Sequence, residues 1–354
     1  MAFAKIREMH EKLGALRRQG YDATLASILE DEYNQTPQEM LRELSINPRK
    51  HSVDFVLNLA DDRKWLVPEV FRSAIREGFV RAWYREVVAA DERVAQPSVV
   101  VPSFEYSDAE PKTTAEGESV PVGSVSYKDK TVRLHKHTIG LDISYEAIKY
   151  TSLDLAAVFF EDFGSRLAGR LNAYAVSVLE NGDQSDLSHS AAVIGVNDTT
   201  PGITYADELR LFIRGAMIGR RFSKIVASEE AANVILNLAE HRRKTTRDAA
   251  AELPLNVKTP VPEEADLYAD AHVTANRAIF VDPARALALL TASALEVESQ
   301  KIIEKQIEKS VASVTAGFAS LVRDGRVALD GSIAYAGNGF PAYMTPVKST
   351  FNQF

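Results

Sequence analysis

The sequence predicts an α+β chain of several parts, and three observations predict it. The first is a helix-patterned stretch that starts at Ser152 or Asp154 and runs to about Glu180. The second is a polar segment, Ser107 to Lys130, with two prolines, two glycines and few core-forming residues. The third is the order helix, strand, helix over Tyr205–Ile218, Lys224–Ala227 and Ser228–Arg243. That order marks an α/β subdomain.

Composition bounds the rest. The chain has 354 residues, 45% hydrophobic and 25% charged, inside the range of soluble globular proteins. Its length allows two or three domains, or one subunit of several parts. No apolar run approaches the roughly 18 residues a membrane span requires. The start, Met1-Ala2-Phe3-Ala4-Lys5-Ile6-Arg7, lacks a long apolar run, so no secretory signal is expected. Cysteine is absent, which excludes disulfides, thiol nucleophiles and thiolate metal sites. A cytoplasmic setting is expected, with stability drawn from packing and association. The formal charge of −8 argues against a dedicated DNA-coating protein, which would carry a basic footprint.

Residues 1–62 read as helical and mostly polar. Ile6, Met9, Leu13 and Leu16 recur at helical spacing, and Gly20 follows as a stop. A second helix is expected from Asp22 to Tyr33. A third opens at Thr36-Pro37-Gln38-Glu39, where Thr36 caps, Pro37 suits the first turn and Glu39 closes a capping box. Helices this short are expected to fold on another surface. Trp65-Leu66-Val67-Pro68 starts a new unit, with a helix over Glu69–Glu77 and an apolar stretch to Val88. Pro97 and Pro102 frame an extended segment, because proline biases the residue before it away from helix.

After the polar segment, Thr131 to Ile143 is strand-like. Val132 and Leu134 alternate on one parity, and Ile139, Leu141 and Ile143 on the other. The switch predicts a bulge, a twist or a change of packing partner between Leu134 and Ile139. A polar hairpin of this length needs a surface to lie on. Ser144-Tyr145-Glu146-Ala147 begins a short helix. The long helix follows, with Leu155, Val158, Phe159, Phe163, Leu167, Leu171, Tyr174 and Leu179 as its apolar positions, and stops at Asn181-Gly182-Asp183. Ser190–Ile203 reads as loop, and Ser228 as the cap of the helix it precedes. Glu252–Asp266 reads as a surface loop and Ala278–Val281 as a strand. Ala286–Leu290 continues that pattern, Leu295–Ser299 alternates, and Ser310–Val322 fits helix or strand. Arg323–Arg326 forms a turn before the strand Val327-Ala328-Leu329.

Catalytic motifs are sparse. There is no Gly-x-Ser-x-Gly elbow, phosphate loop or dinucleotide fingerprint. His135 and His137 share one strand face and could be half a metal site. No third ligand has suitable spacing, so an exposed strand pair is the favoured reading and no metal or cofactor is expected. Gly337-Asn338-Gly339 reads as a turn. Arg242, Arg243, Lys244 and Arg247 form a second basic group, followed closely by Asp248 and Glu252.

From about Leu66 to Leu329 the chain resembles the HK97-fold major capsid proteins of tailed bacteriophages. The polar arm Ser107–His137 is similar to that family's E-loop. Thr138-Ile139-Gly140-Leu141-Asp142-Ile143-Ser144 and Tyr145-Glu146-Ala147-Ile148 are similar to the strand and short helix that follow it. Leu153–Leu179, ending in Glu180-Asn181-Gly182-Asp183, is similar to the spine helix. Phe280-Val281-Asp282-Pro283 and Val322-Arg323-Asp324-Gly325-Arg326-Val327-Ala328-Leu329 are similar to the closing strands. No single motif is specific; their order and spacing carry the likeness.

The resemblance implies a helical N-terminal extension (1–62), an N-arm (63–106) and an E-loop (107–137). It further implies a peripheral domain with the spine helix (138–190), an axial domain (191–280), return strands (281–330) and a C-terminal tail (331–354). The extension resembles the scaffold-like one that some members lose to a protease, and retention, or an immature particle, is expected here. The expected function is a non-enzymatic major capsid protein that self-assembles from pentamers and hexamers into an icosahedral shell around the phage genome. An encapsulin-like nanocompartment shell is the alternative, and a soluble α/β enzyme the third reading. Expected partners are other copies of the chain, then scaffold, portal and decoration proteins, and packaged double-stranded DNA by non-specific contact. No membrane partner is expected. The net acidity is compatible with a wall that faces DNA without gripping it. The expected location is the virion capsid, with assembly in the host cytoplasm.

Glu116, Glu118, Lys128, Asp129, Lys130 and Arg133 on the arm are candidates for contacts between subunits, setting register more than affinity. Leu134, Ile139 and Gly182 are candidate hinges. Lys5, Arg7, Lys12, Arg17 and Arg18 are a candidate inner-face basic set. Their competing reading is a solvated helix face diluted by Glu8 and Glu11. Some family members cross-link an arm lysine to an asparagine. Here Thr113–Tyr127 has no lysine, Lys112, Lys128 and Lys130 only flank it, and Asn338 and Asn352 lie in the tail, so cross-linking is not expected.

Overall fold

The structure is a computed structural model. It describes residues 8–9, 11–13, 15–16, 25–35, 37–44, 46–57, 66–101, 119, 130–183, 190–200, 202–238, 241, 265–336 and 339–345. The chain divides into two compact units. The first comprises Met1–Ala82, His135–Leu171 and Thr291–Ala316; the second comprises Trp83–Leu134, Asn172–Leu290 and Gly317–Phe354.

In the first unit, short helices α1 (Leu25–Tyr33), α2 (Pro37–Glu43) and α3 (Val53–Leu57) gather around a small core. None is long enough to persist alone, so each is held by the apolar face it buries. Met9, Leu13, Leu29, Leu41, Ile46 and Val56 meet Leu153 and Ala156 at the start of the long helix there. The surface that the short helices were expected to need is therefore supplied within the same chain. Helix α4 (Leu66–Val80) is longer at both ends than the Glu69–Glu77 expected from the sequence.

Helix α5 (Tyr145–Tyr150) is capped by the Ser144 hydroxyl, which accepts from the Ala147 N–H at 3.2 Å. The long helix, α6, covers Leu153–Asn181. At roughly 1.5 Å per residue, it spans about 43 Å. It and α4 meet at two glycines. A Cβ on Gly78 would fall 2.0 Å from the Glu161 carbonyl oxygen, and one on Gly164 would fall 2.0 Å from that of Ile75. Only glycine permits so close a backbone approach. Phe71 and Phe160 stack beside the crossing at 4.2 Å, and Arg81 pairs with both Glu77 and Glu161.

The sheet of this unit contains β4 (His135–Ser144), antiparallel to β10 (Ile307–Ser320) from Ser144 opposite Ile307 to His135 opposite Ala316. Next to β10 lies β9 (Leu287–Ile302); β1 (Val88–Arg93), which ends the strand order β1-β9-β10-β4, belongs to the second unit. Strands β9 and β10, 16 and 14 residues long, contribute to both units, as does α6. Their turn holds Gln306 in the left-handed region at φ 52°.

The second unit carries a mixed five-stranded sheet, β5 (Ala192–Val196), β11 (Arg326–Ala334), β8 (Arg277–Val281), β6 (Lys224–Ala227) and β7 (Asp266–Ala269), in that spatial order. Helices α7 (Tyr205–Met217) and α8 (Glu229–Asn237) supply Leu211, Phe212 and Ile235 to a core shared with Ile194, Phe280 and Leu329. Buried Asp207 fixes the start of α7 by accepting from the Thr204 N–H and hydroxyl. Ser228 caps α8 through the Ala231 N–H. A separate ladder pairs β2 (Ser98–Val101) with β3 (Lys130–Arg133).

Several expectations need correction. Ala192–Val196, read as loop, is a strand: its short apolar run suits a buried strand, and its parallel partner β11 lies more than a hundred residues away. Asp266 begins strand β7 rather than ending a loop, again through a distant parallel partner, β6. The helix expected to reach Arg243 has its continuous run end at Asn237. Leu287–Ile302 is one strand instead of two pieces, and Ser310–Val322 resolves as strand. The parity switch is real and has the third of its proposed causes. Strand β3 pairs with β2, β4 pairs with β10, and Leu134 stands between them.

Candidate assembly surface

Strand β4 ends the order of its sheet, so among the described residues one of its edges is unpaired. Its alternation holds from Lys136 to Ser144. Lys136, Thr138, Gly140, Asp142 and Ser144 are exposed on one face, while His137 is buried and Ile139, Leu141 and Ile143 are half-buried on the other. Long edge strands are the parts of a sheet most ready to accept another chain.

The long helix supplies the second component. Leu153, Ala156, Phe160, Phe163, Leu167 and Leu171 are buried, as helical periodicity predicts. Leu155, Val158 and Phe159 are not; they are 50%, 57% and 57% exposed. The signal was present in the sequence, since apolar residues on two faces of a helix exceed what one core contact buries. Tyr150 and Ile303, both almost fully exposed, add to the uncovered apolar surface of the first unit.

A cleft of about 1310 Å³ lies within that unit, lined by Ile139, Leu141 and Ile143 of β4 and Phe159, Phe160 and Phe163 of the helix, among others. Arg72 borders it, donating to the Val297 carbonyl at 3.0 Å and pairing with Glu69 at 3.2 Å. Arg166 pairs with Asp162 at 2.8 Å on the same rim. The volume exceeds the roughly 300–1,000 Å³ of small-molecule pockets, and the lining suits an apolar chain segment.

Burial lowers the His137 pKa, and the positive charge of Arg170 and neighbouring His135 lower it further. His135 itself is exposed. Among the described residues no three His, Asp or Glu side chains are grouped to hold a metal ion. No helix among them is long and apolar enough to cross a membrane.

The residues singled out from the sequence fall as follows. Glu116, Glu118, Lys128 and Asp129 lie outside the described residues, as do Lys5, Arg7, Arg17, Arg18, the Arg242–Arg247 group and Asn338. Lys130 and Arg133 open and close β3, opposite Val101 and Ser98. Leu134 is buried beside Val132, Leu290 and Ala319, and Ile139 sits mid-strand in β4. Gly182 leaves the long helix at φ 85°, the left-handed turn that glycine adopts freely. Lys12 is already engaged, 2.8 Å from Glu32 and 3.3 Å from Glu8, and these partners raise its pKa.

Sequence reading missed one buried constellation. Arg326, fully buried, donates to the Leu179 carbonyl at 2.8 Å and to the Ser320 hydroxyl. Asp183 accepts from the Ser320 N–H at 2.9 Å. The Asn181-Gly182-Asp183 stop thus has two functions: glycine turns the chain, and the aspartate and arginine satisfy the backbone around it.

No family model matches the chain, and no curated protein matches it. Several solved structures are similar to it. A virus-like particle from Pyrococcus furiosus is 10% identical, with a TM-score of 0.49, over 74% of this chain and 98% of that one. The holo-SrpI encapsulin complex from Synechococcus elongatus PCC 7942 is 13% identical, with a TM-score of 0.47, over 72% of this chain and 88% of that one. The capsid of cyanophage P-SCSP1u is 12% identical, with a TM-score of 0.46, over 69% and 86%.

Proposed function

We propose that this chain is a shell subunit of the HK97 type, the major capsid protein of a tailed phage. The observation that carries the reading is the exposed apolar face of the long helix, Leu155, Val158 and Phe159, together with an edge strand that is unpaired on one side among the described residues. Soluble chains seldom leave such clustered apolar surface to water unless a partner covers it. The order of elements supports the same reading. A long helix and two long strands contribute to both units, and the second unit carries a mixed five-stranded sheet with two helices.

In this reading each copy makes heterologous contacts that close into five- and six-membered rings. Apolar burial contributes about 25 cal/mol per Å², and each copy is held by several neighbours at once, so modest contacts suffice. Arm residues Glu116, Glu118, Lys128, Asp129, Lys130 and Arg133 set register between subunits. Shell rearrangement turns on three hinges: Leu134, where the strand changes sheet, Ile139 within β4, and Gly182, where the helix ends. Lys12 is neutralised by Glu8 and Glu32, so any inner-face contact to DNA falls to Lys5, Arg7, Arg17 and Arg18.

The test is to express the full chain and examine it by light scattering and electron microscopy, with scaffold added if needed. Rings or shells are expected, with nucleic acid inside particles made during infection. Shells that enclose protein cargo instead would move the assignment to the encapsulin-like alternative. A chain that stays monomeric at all concentrations would overturn the shell reading.

A further inference from the structure

We propose that β4 pairs edge to edge with β4 of a second copy of this chain, antiparallel and centred on Ile139, across a two-fold axis. Along the ten residues of β4 every second residue turns its N–H and C=O to the outer edge, and among the described residues no strand pairs with them. The strand contains no proline to block pairing. An unpaired edge of this length leaves a row of donors and acceptors that a second strand satisfies.

Charge selects both the occupant and the register. Lys136 and Asp142 stand at equal distance in sequence on either side of Ile139, on the exposed face. Antiparallel pairing centred on Ile139 therefore sets Lys136 opposite the partner's Asp142, and Asp142 opposite the partner's Lys136. Lys309 is the cross-strand neighbour of Asp142 on β10, and Thr315 that of Lys136. Neither Lys136 nor Asp142 makes an ion pair within its own chain among the described residues. A register shifted by one position loses both pairs and turns apolar positions towards water.

The rest of the strand accommodates the same register. Thr138 faces the partner's Gly140, so two small residues meet on the exposed face. Ile139 meets its own counterpart, and Leu141 faces the partner's His137. The half-buried layer of Ile139, Leu141 and Ile143 thereby continues from one copy into the next. The dyad stands perpendicular to the sheet, so both copies keep their helical layers on the same side. The contact does not depend on the shell reading, because a dimer of this kind forms with or without rings.

The first experiment measures the mass of the full chain against concentration, at low salt, by mass photometry. Lys136→Asp or Asp142→Lys alone places like charges opposite each other twice per dimer. Each is expected to weaken two-copy association about tenfold or more. The double variant K136D/D142K restores opposite charges and returns the affinity close to that of the parent. Unchanged affinity in the single variants, or no recovery in the double, overturns the proposal.

A second measurement guards against misfolded variants. The chain has no cysteine, and a side chain at Gly140 meets nothing closer than 3.8 Å. Thr138→Cys with Gly140→Cys is expected to give a disulfide-linked dimer on mild oxidation. Two cysteines two apart on one strand are too distant to bridge within a chain. Absence of that dimer in a folded sample also overturns the proposal. Imaging the same samples separates the two claims: cross-linked dimers without shells would count against the shell reading alone.

Discussion

At the scale of single residues, Arg326 and His137 carry the sharpest expectations. Burial draws the Arg326 pKa down to about 10, although Asp183 and Tyr343 oppose the shift, so the guanidinium stays charged at neutral pH. Arg326→Met would leave the Leu179 carbonyl without its arginine donor and Asp183 without a compensating charge. The expected loss is about 3 kcal/mol of stability, read by denaturant unfolding of the assembled-incompetent monomer. His137 behaves in the opposite sense to a paired histidine. Its folded pKa lies below the ordinary value of 6.5, through burial first and then Arg170 and His135. The unfolded chain therefore binds the proton first. The contribution to stability is complete above pH 6.5 and is lost as pH falls below it. His137→Leu is expected to flatten the dependence of melting temperature on pH between about 7 and 5. A variant as acid-sensitive as the parent would refute that role.

At the scale of elements, the long helix contains its own control experiment. Gly164 touches the Ile75 backbone, while a side chain at Gly169 would meet nothing within 4 Å. Gly164→Ala, like Gly78→Ala, is expected to push α4 off the helix at a cost of about 1–3 kcal/mol. Gly169→Ala, by contrast, is expected to gain up to about 1 kcal/mol, because alanine is the better helix former. Thermal unfolding of the three variants decides it, and equal effects would remove the glycine crossing as a determinant. Sequence periodicity located this helix to within a residue or two, including its glycine stop. It could not tell the two glycines apart, since the difference lies in another helix.

At the scale of the molecule, the proposed function rests on the exposed apolar face of the long helix. Replacing Leu155, Val158 and Phe159 with aspartate together is expected to abolish assembly. These side chains are largely exposed, so the monomer should change by no more than about 0.5 kcal/mol per site. Light scattering would report the loss of assembly and circular dichroism the retained fold. Shells that still form would assign assembly to other surfaces. The two arms of the test differ because contacts between copies are absent from the folding of one copy.

Local order in the chain determined what local interactions suffice to specify. Capping residues, glycine stops and the 3.6-residue period marked α5, α6, α7 and α8, with Ser144, Ser228 and Gly182 each in its expected role. Alternation marked β4, and the break in parity at Leu134 foretold a change of partner. Tertiary structure alone decided the rest. Strands β5 and β7 form because parallel neighbours far along the chain pair with them, and buried Arg326 finds its acceptor in the Leu179 carbonyl at the far end of the long helix. Leu155, Val158 and Phe159 stand among the apolar positions of the helix in the sequence, and hydrophobicity says that a side chain tends to be buried and not by what. Only packing shows that their own chain leaves them uncovered, and a residue buried by a neighbouring copy carries the same pattern as one buried by its own.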